Sequence, residues 1–271
     1  MTQKEHGSVD DWIELFYRKY PEVYRTQMDQ LMEDGEIEAR NISSVFEKLN
    51  IGEGKHVLDL GCGIGRHSVP LAEQGYIMTG CDISPYYLQI AKEKSKQKNL
   101  SKKLRFLEGD IYKMVDEFKE RGEKFDAVMA FSVPFGYNTE NDMKLFRMLA
   151  DVVEDKGVFL LQTTNRDWIL SNFANEEVRE ISTDMQVKEL RSFNIENSTI
   201  NSSWSLYQKV DEHKEKIASA SLNVRLYSFH EIKEMMENAG WTSINSFGDM
   251  KTLEPSTLES RYFNTFYKKR S

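Results

Sequence analysis

Asp59 and Asp82 stand on either side of a glycine-rich turn. The stretch runs His56-Val-Leu-Asp-Leu-Gly-Cys-Gly-Ile-Gly-Arg-His and continues to Gly80-Cys-Asp-Ile-Ser-Pro85. Gly61, Gly63 and Gly65 alternate with larger residues, so the backbone can turn tightly and approach a ligand with no Cβ in the way. Val57, Leu58 and Leu60 form the short apolar run expected of a strand buried in a parallel sheet. Ser68 to Gln74 reads as a short helix stopped by Gly75, and Tyr76 to Gly80 as the next strand. Asp82 then falls at the carboxyl end of a strand, where open α/β sheets bind ligands.

A dinucleotide site would carry Gly-x-Gly-x-x-Gly followed by an acid. Here Arg66 fills the place of the third glycine, and Asp59 ahead of the turn would repel a pyrophosphate. Asp59 can instead accept hydrogen bonds from an ammonium group through the loop, and Asp82 can take a ribose diol with its two oxygens. Such a pair suits a nucleoside with an amino-acid arm and no phosphate, which describes S-adenosylmethionine.

Asp59-Leu-Gly-Cys-Gly-Ile-Gly resembles the first motif of class I S-adenosylmethionine-dependent methyltransferases, and Gly80-Cys-Asp-Ile-Ser resembles their second. The resemblance implies a Rossmann-like α/β fold with a seven-stranded, mostly parallel sheet. Strand seven is expected to run antiparallel and insert between strands five and six. It also implies cofactor contacts from Asp59, Gly61, Cys62, Gly63, Gly65, Asp82 and Ile83. After strand three, Asp110 would accept from the adenine amine and Ile111 would flank the ring. Phe131 would stand at the end of strand four, where the methyl group meets its acceptor.

The elements that must position these residues follow in order. Residues 9 to 49 read as helices, aromatic-rich from Trp12 to Tyr24 with a break near Pro21, then an apolar stripe from Met28 to Leu49. In small-molecule members of the resembled family, such helices lie over the cofactor. Tyr17, Tyr20 and Tyr24 are therefore expected to face the methionine arm or the sulfonium, whose charge favours an aromatic face. Ser84 is expected to cap a helix from Pro85 to Gln97. Leu104 to Leu107, Phe125 to Phe131 and Gly157 to Leu161 read as strands three to five, with a helix from Asn141 to Val153. Phe229 to Ala239 is the last helix, and Trp241 to Phe247 and Tyr262 to Tyr267 are strands six and seven. The domain plan is a helical cap at 1–49, a core at 50–165, an insert at 166–225 and the end of the core at 226–271. Within the insert, partial alternation over Val187 to Ile195, Ser202 to Val210 and Lys216 to Tyr227, with a turn at Asp211 to Lys214, predicts a small antiparallel sheet over the acceptor site.

Composition bounds the setting. The chain has 271 residues, 39% hydrophobic and 30% charged, with a net charge of −8. That charge weighs against a large nucleic-acid footprint, which needs clustered Lys and Arg. The basic stretch Lys92 to Arg105 lacks interleaved aromatics and reads as a solvated helix end. No run approaches a membrane span, and the first residues carry no apolar signal core. Cys62 and Cys81 read as small buried thiols, and the location expected is the cytoplasm.

The acceptor side is less defined. Ser132-Val-Pro-Phe135 stands where amino-methylating nucleic-acid enzymes of this fold usually carry Asn-Pro-Pro-Tyr or Asp-Pro-Pro-Tyr, and no cysteine nucleophile lies there. Phe131, Phe135 and Tyr137 form a largely apolar mouth, which suits a small acceptor. His67, His213 and His230 are the histidines considered as bases; His67 is expected to cap its helix or pack, and no catalytic residue is assigned. The histidines are scattered and no metal is expected. The reading is a small-molecule methyltransferase of undefined acceptor and oligomeric state. An RNA or protein methyltransferase and a non-catalytic cofactor-binding protein are the alternatives.

Overall fold

The computed structural model describes residues 9–131, 135–137, 139–211 and 213–270. The Ser132-Val-Pro134 part of the fourth-strand motif lies outside the described residues.

The N-terminal segment folds as α1 (Val9–Ile13), a π-helical turn (Glu14–Lys19), α2 (Glu22–Gln30) and α3 (Met32–Lys48). The break at Pro21 falls where expected. A second break, at Leu31, separates α2 from α3 where the sequence reads as one helix. The core then alternates β1 (His56–Leu60), α4 (Ser68–Glu73), β2 (Ile77–Asp82), α5 (Pro85–Gln97), β3 (Leu104–Glu108), α6 (Ile111–Glu120), β4 (Phe125–Ala130), α7 (Thr139–Val152) and β5 (Val153–Thr164). After α8 (Arg166–Ser171) come β6 (Glu176–Glu180), β7 (Met185–Asn194), β8 (Thr199–Val210) and β9 (His213–Arg225). The chain returns to the core through α9 (Phe229–Asn238), β10 (Trp241–Asp249), β11 (Glu254–Pro255) and β12 (Tyr262–Lys269).

The main sheet has the order β11-β10-β12-β5-β4-β1-β2-β3. Strands β1 to β5 pair in parallel, and β12 runs antiparallel between β5 and β10. The expected seven strands are all present. The two-residue β11, paired on the outside of β10, makes the sheet eight-stranded. It is too short for period-two alternation to reveal. Strand order reverses between β1 and β4, which sets the carboxyl ends of β1, β2 and β4 around one crevice.

Apolar cores fill both faces of this sheet. One packs α6, α7 and α9 through Phe118, Phe146 and Met236 and takes in Trp241 of β10, whose Nε1–H donates to the Phe146 carbonyl at 2.9 Å. The other packs α3, α4 and α5 through Phe46, Leu71 and Leu88. The near-continuous apolar reading of β1 and β4 follows from burial on both faces.

A third core lies off the main sheet. Strands β6 to β9 form a separate antiparallel sheet of order β6-β7-β8-β9. Its inward face carries Val187, Trp204, Leu206 and Leu222, which pack against Trp12, Phe16 and Val23 of the N-terminal helices. Trp12 meets Trp204 edge-on, with ring centroids 4.7 Å apart, and Phe16 meets it at 5.3 Å. Three strands of this sheet match expectation, and the β8–β9 turn falls at Asp211. Strand β6 was not anticipated, because Glu176-Glu-Val-Arg-Glu180 is mostly charged and sits on an edge. The N-terminal helices and the second sheet therefore bury each other's aromatic faces, which removes that apolar surface from water.

This shared core predicts the effect of Trp204→Ala. Losing a buried Trp costs about 3–5 kcal/mol at its site. Amide hydrogen exchange in α1, α2 and β7–β8 should accelerate strongly, while β1, β4 and β5 stay protected.

Candidate active site

The loop after β1 is held by backbone contacts to the end of β2. The amides of Gly61 and Cys62 both donate to the Cys81 carbonyl, at 2.8 and 3.0 Å. Gly61, Gly63 and Gly65 have φ of 69°, 52° and 79°. Those values lie in the left-handed region that a side chain opposes, which is why the turn needs glycine at alternate positions. Asp82 completes the junction. Its Oδ2 accepts from the Gly63 amide at 2.8 Å and its Oδ1 from the Ser84 amide at 2.9 Å.

Asp59 and Asp82 are both buried, at 2% and 6% exposure. Burial pushes Asp59 up to about 7, against the Ser68 hydroxyl that donates to its Oδ2 at 2.6 Å and against the nearby Arg66 charge. Burial pushes Asp82 up to about 6, against the Ser84 and Gly63 amides. The Asp82 charge adds to the upward shift of Asp59, so this pocket is short of positive charge at neutral pH.

The N-terminal helices close over the loop. The Ser84 hydroxyl donates to the Tyr17 carbonyl at 2.6 Å, and the Tyr87 hydroxyl donates to the Pro21 carbonyl at 2.7 Å. Tyr17 stacks on Tyr24 with centroids 5.2 Å apart. The Tyr17 phenol feels the Asp82 charge, and Tyr24 and Tyr17 both interact electrostatically with Tyr137. Three tyrosines from the π-turn, α2 and the segment after β4 thus converge above the two acids. Burial raises the pKa of all three, so they stay protonated at neutral pH. Met28 reaches the same loop: a Cβ on Gly63 would lie 3.5 Å from its Sδ. Tyr20 is half-buried in the third core and carries the Lys19 ammonium over its ring. It is Tyr24 rather than Tyr20 that stacks beside Tyr17.

The other sequence-derived positions are placed as follows. Asp110 caps α6, its Oδ1 accepting from the amides of Tyr112 and Lys113 at 3.0 and 3.2 Å. Ile83 and Ile111 are half-buried at the same ends of β2 and β3. Cys62 is buried, and its Sγ would lie 2.9 Å from a Cβ on Gly80. Both cysteines are free and burial raises their thiols, Cys81 to about 12. Phe131 is buried with its ring 4.2 Å from His67. His67 makes no side-chain cap to α4. It packs, and its Nε2 lies 2.7 Å from Glu38 Oε2, which also takes Arg66. Burial and the Arg66 charge push His67 down to about 4, so it is neutral and donates to Glu38. Gly35 permits this approach, since a Cβ there would meet Arg66 Cγ at 2.4 Å. His213 is exposed and His230 bonds Ser228. Among the described residues no His, Cys, Asp and Glu group could hold a metal ion.

Asp142 was not recognised from the sequence as a site residue. It is 1% exposed. Its Oδ2 accepts from the Gly136 amide at 2.9 Å and the Tyr227 hydroxyl at 2.8 Å. One carboxylate therefore ties the segment after β4 to the chain returning from the second sheet. The available signal was its place on the apolar stripe of α7 with Leu145, Phe146 and Leu149. Glu38 shows the same signal on α3, with Ile42 and Val45. Between these segments lies a cavity of about 260 Å³, bordered by Phe135, Tyr137, Gln162, Thr163, Arg225 and Tyr227.

With that geometry in place, the comparisons agree. The profile of a methyltransferase domain family matches residues 51–240, and the chain belongs to that family. The protein "Putative methyltransferase YqeM" of Bacillus subtilis strain 168 is 26% identical over 235 residues, covering 79% of this chain and 84% of that one. A crystal structure of an S-adenosylmethionine-dependent methyltransferase from Clostridium acetobutylicum superposes with a TM-score of 0.72 at 16% identity, covering 93% of this chain and 98% of the other. CalS10 of Micromonospora echinaspora, an amino pentose methyltransferase solved with S-adenosylmethionine bound, superposes at 0.62 with 15% identity, covering 91% and 96%. The chain is a class I S-adenosylmethionine-dependent methyltransferase. No described helix is long and apolar enough to cross a membrane.

The two buried acids predict a pH-dependent stability. A carboxyl whose pKa is raised on folding binds more protons folded than unfolded, so stability falls as pH rises from about 4 to about 7. Asp59→Asn removes the larger part of this cost. Its unliganded melting temperature should match wild type near pH 4 and exceed it near pH 8, read by calorimetric scans at both values.

Proposed function

We propose that this methyltransferase acts on a small-molecule acceptor, and that the acids around the glycine loop hold its cofactor. The observation that carries the reading is the closure over the loop. The aromatic core shared by the N-terminal helices and the second sheet roofs the site, leaving a cavity of about 260 Å³ beside Tyr137. A compartment of that size takes a compact acceptor group. CalS10, similar in fold, is named for a small sugar acceptor, which supports the same class here.

The residues present fit S-adenosylmethionine. Asp59 offers a buried acceptor oxygen for the ammonium group, and the Gly61 to Gly65 backbone can approach the methionine arm. Asp82 keeps lone pairs for the ribose hydroxyls beyond the two amides it already accepts from, since a carboxylate has about four acceptor sites. Asp110 and Ile111 would border the adenine, with Ile83 and Cys62 against the nucleoside, and Tyr17 would face the sulfonium. When bound, the cofactor supplies an electrophilic methyl group on a positively charged sulfur. The chain's contribution is geometric and electrostatic. Tyr17, Tyr24 and Tyr137 exclude water and orient the acceptor for in-line attack, worth several kcal/mol by positioning alone. Because burial keeps these phenols protonated, they serve as hydrogen-bonding groups rather than bases. His67, neutral and committed to Glu38, takes no part in proton transfer to the acceptor.

Two measurements test this. Calorimetric titration of S-adenosylmethionine should give tight binding to wild type and roughly 10- to 150-fold weaker binding to Asp82→Ala, the range for losing charge-assisted hydrogen bonds. Unchanged affinity in the variant would remove Asp82 from the site. A cation entering beside Asp59 and Asp82 also lowers their pKa values. Binding near pH 6 should therefore release protons, seen as a dependence of the apparent enthalpy on buffer ionisation, and affinity should rise from pH 5 to pH 8. Transfer of tritiated methyl to a metabolite panel then tests the acceptor class; labelling confined to RNA or protein would overturn it.

A further inference from the structure

We propose that Arg179 reads the acceptor, and that the acceptor carries an anionic oxygen group, a carboxylate or a phosphate. The inference rests on the small-molecule reading above and names a substrate class within it.

Arg179 lies in the middle of β6, opposite Val187 of β7, on the inward face of the second sheet. Its guanidinium carbon stands 4.4 Å from the centroid of the Trp204 ring. Trp204 is 5.4 Å from Tyr24, and Tyr24 is 5.2 Å from Tyr17, the ring that faces Asp82. A continuous file of three rings thus joins Arg179 to the second motif.

The guanidinium is fixed yet incompletely used. Its Nε and Nη2 are buried and have no hydrogen-bond partner. These two N–H groups form the side edge of the guanidinium. They point in parallel and match two oxygens of a carboxylate or phosphate in a bidentate bond. Buried donors on a charged group are normally satisfied, so an unbonded pair of this geometry is costly unless an acceptor reaches it. The nearest acid, Glu177, has Oε1 at 3.8 Å from Nε, too far for a hydrogen bond. The oxygen Oε2 of Glu177 takes Arg191 instead, which also bonds Glu189 with Nε at 2.7 Å from Oε1. Of the two arginines on this face, Arg191 is bonded to both acids and Arg179 to neither.

The platform under Arg179 is rigid. Trp204 Nε1–H donates to Ser202 Oγ at 3.0 Å, and that hydroxyl donates to Glu189 Oε1 at 2.6 Å. Arg191 in turn neutralises Glu189. This chain orients the ring, and the ring orients the guanidinium. Such support is what a selective contact needs, because a misplaced fork loses its bidentate geometry.

The test compares matched acceptor candidates: carboxylic acids against their methyl esters, and phosphate monoesters against the parent alcohols. Methyl transfer is read with tritiated cofactor in wild type, Arg179→Gln and Arg179→Lys. Protein saturated with S-adenosylhomocysteine is also titrated with benzoate and with inorganic phosphate, so that the two anion sources are separated. Wild type should prefer the acidic member of one pair type. Arg179→Gln should lose roughly 10- to 150-fold, the range for a charge-assisted bidentate contact, in KM rather than kcat. Arg179→Lys should recover charge but only part of the affinity, and S-adenosylhomocysteine binding should stay within about twofold in both, as for a contact beyond the cofactor. A merely structural arginine would shift S-adenosylhomocysteine affinity and melting temperature together. Equal or better transfer to the neutral members, or equal anion binding by wild type and Arg179→Gln, overturns the proposal and leaves the small-molecule reading standing. Failure of wild type to bind S-adenosylmethionine would instead overturn the reading beneath it.

Discussion

The Gly63 amide donating to Asp82 is the contact on which the site depends. It joins the loop after β1 to the carboxyl end of β2, and the Cys81 carbonyl repeats the junction through Gly61 and Cys62. The bond requires left-handed backbone at Gly63, and it requires Asp82 to be buried where its charge is unfavourable. Both demands are local sources of instability. They persist because β1 and β2 lie inside a parallel sheet whose two faces are filled by helices, so the strands cannot move apart to relieve them.

The surroundings follow from the resulting charge. Burial raises Asp59 to about 7 and Asp82 to about 6, a cost that a nearby cation relieves. Ser84 links this pocket to its roof: its amide bonds Asp82, its side chain caps α5, and its hydroxyl donates to the Tyr17 carbonyl. The roof's stability comes from elsewhere, from the aromatic face that Trp12 and Phe16 share with Trp204. Loop, helical roof and second sheet are thus coupled through a short path of packed rings and hydrogen bonds. Asp142 adds a second coupling by bonding both the Gly136 amide and the Tyr227 hydroxyl, which ties the segment after β4 to the chain leaving the second sheet.

Much of the core was legible in the residues. Period and punctuation located the strands from β1 to β5, and the spacing of Asp59, the glycines and Asp82 marked the loop. Three of the four strands of the second sheet showed in alternation, and β6 did not, because four of its five residues are charged and leave no apolar alternation to read. The polar groups that organise the site were harder to read. Glu38, Asp142 and Glu189 look like ordinary surface acids in a chain with a net charge of −8. Each sits on a stripe of otherwise apolar or inward-facing residues, and each is bonded there by an arginine, a histidine, a hydroxyl or a backbone amide.

The sequence by itself determined the class of fold and the glycine loop after β1, because both rest on local requirements: glycine where the backbone must turn, apolar runs where strands are buried, an acid where a strand ends. The tertiary structure alone decided which tyrosines gather over the loop, that His67 is spent on Glu38, that Asp142 clamps two segments, and that Arg179 keeps two unbonded donors beside Trp204. Those outcomes depend on contacts between residues far apart in the chain, and a contact of that kind leaves no fixed spacing for the sequence to display.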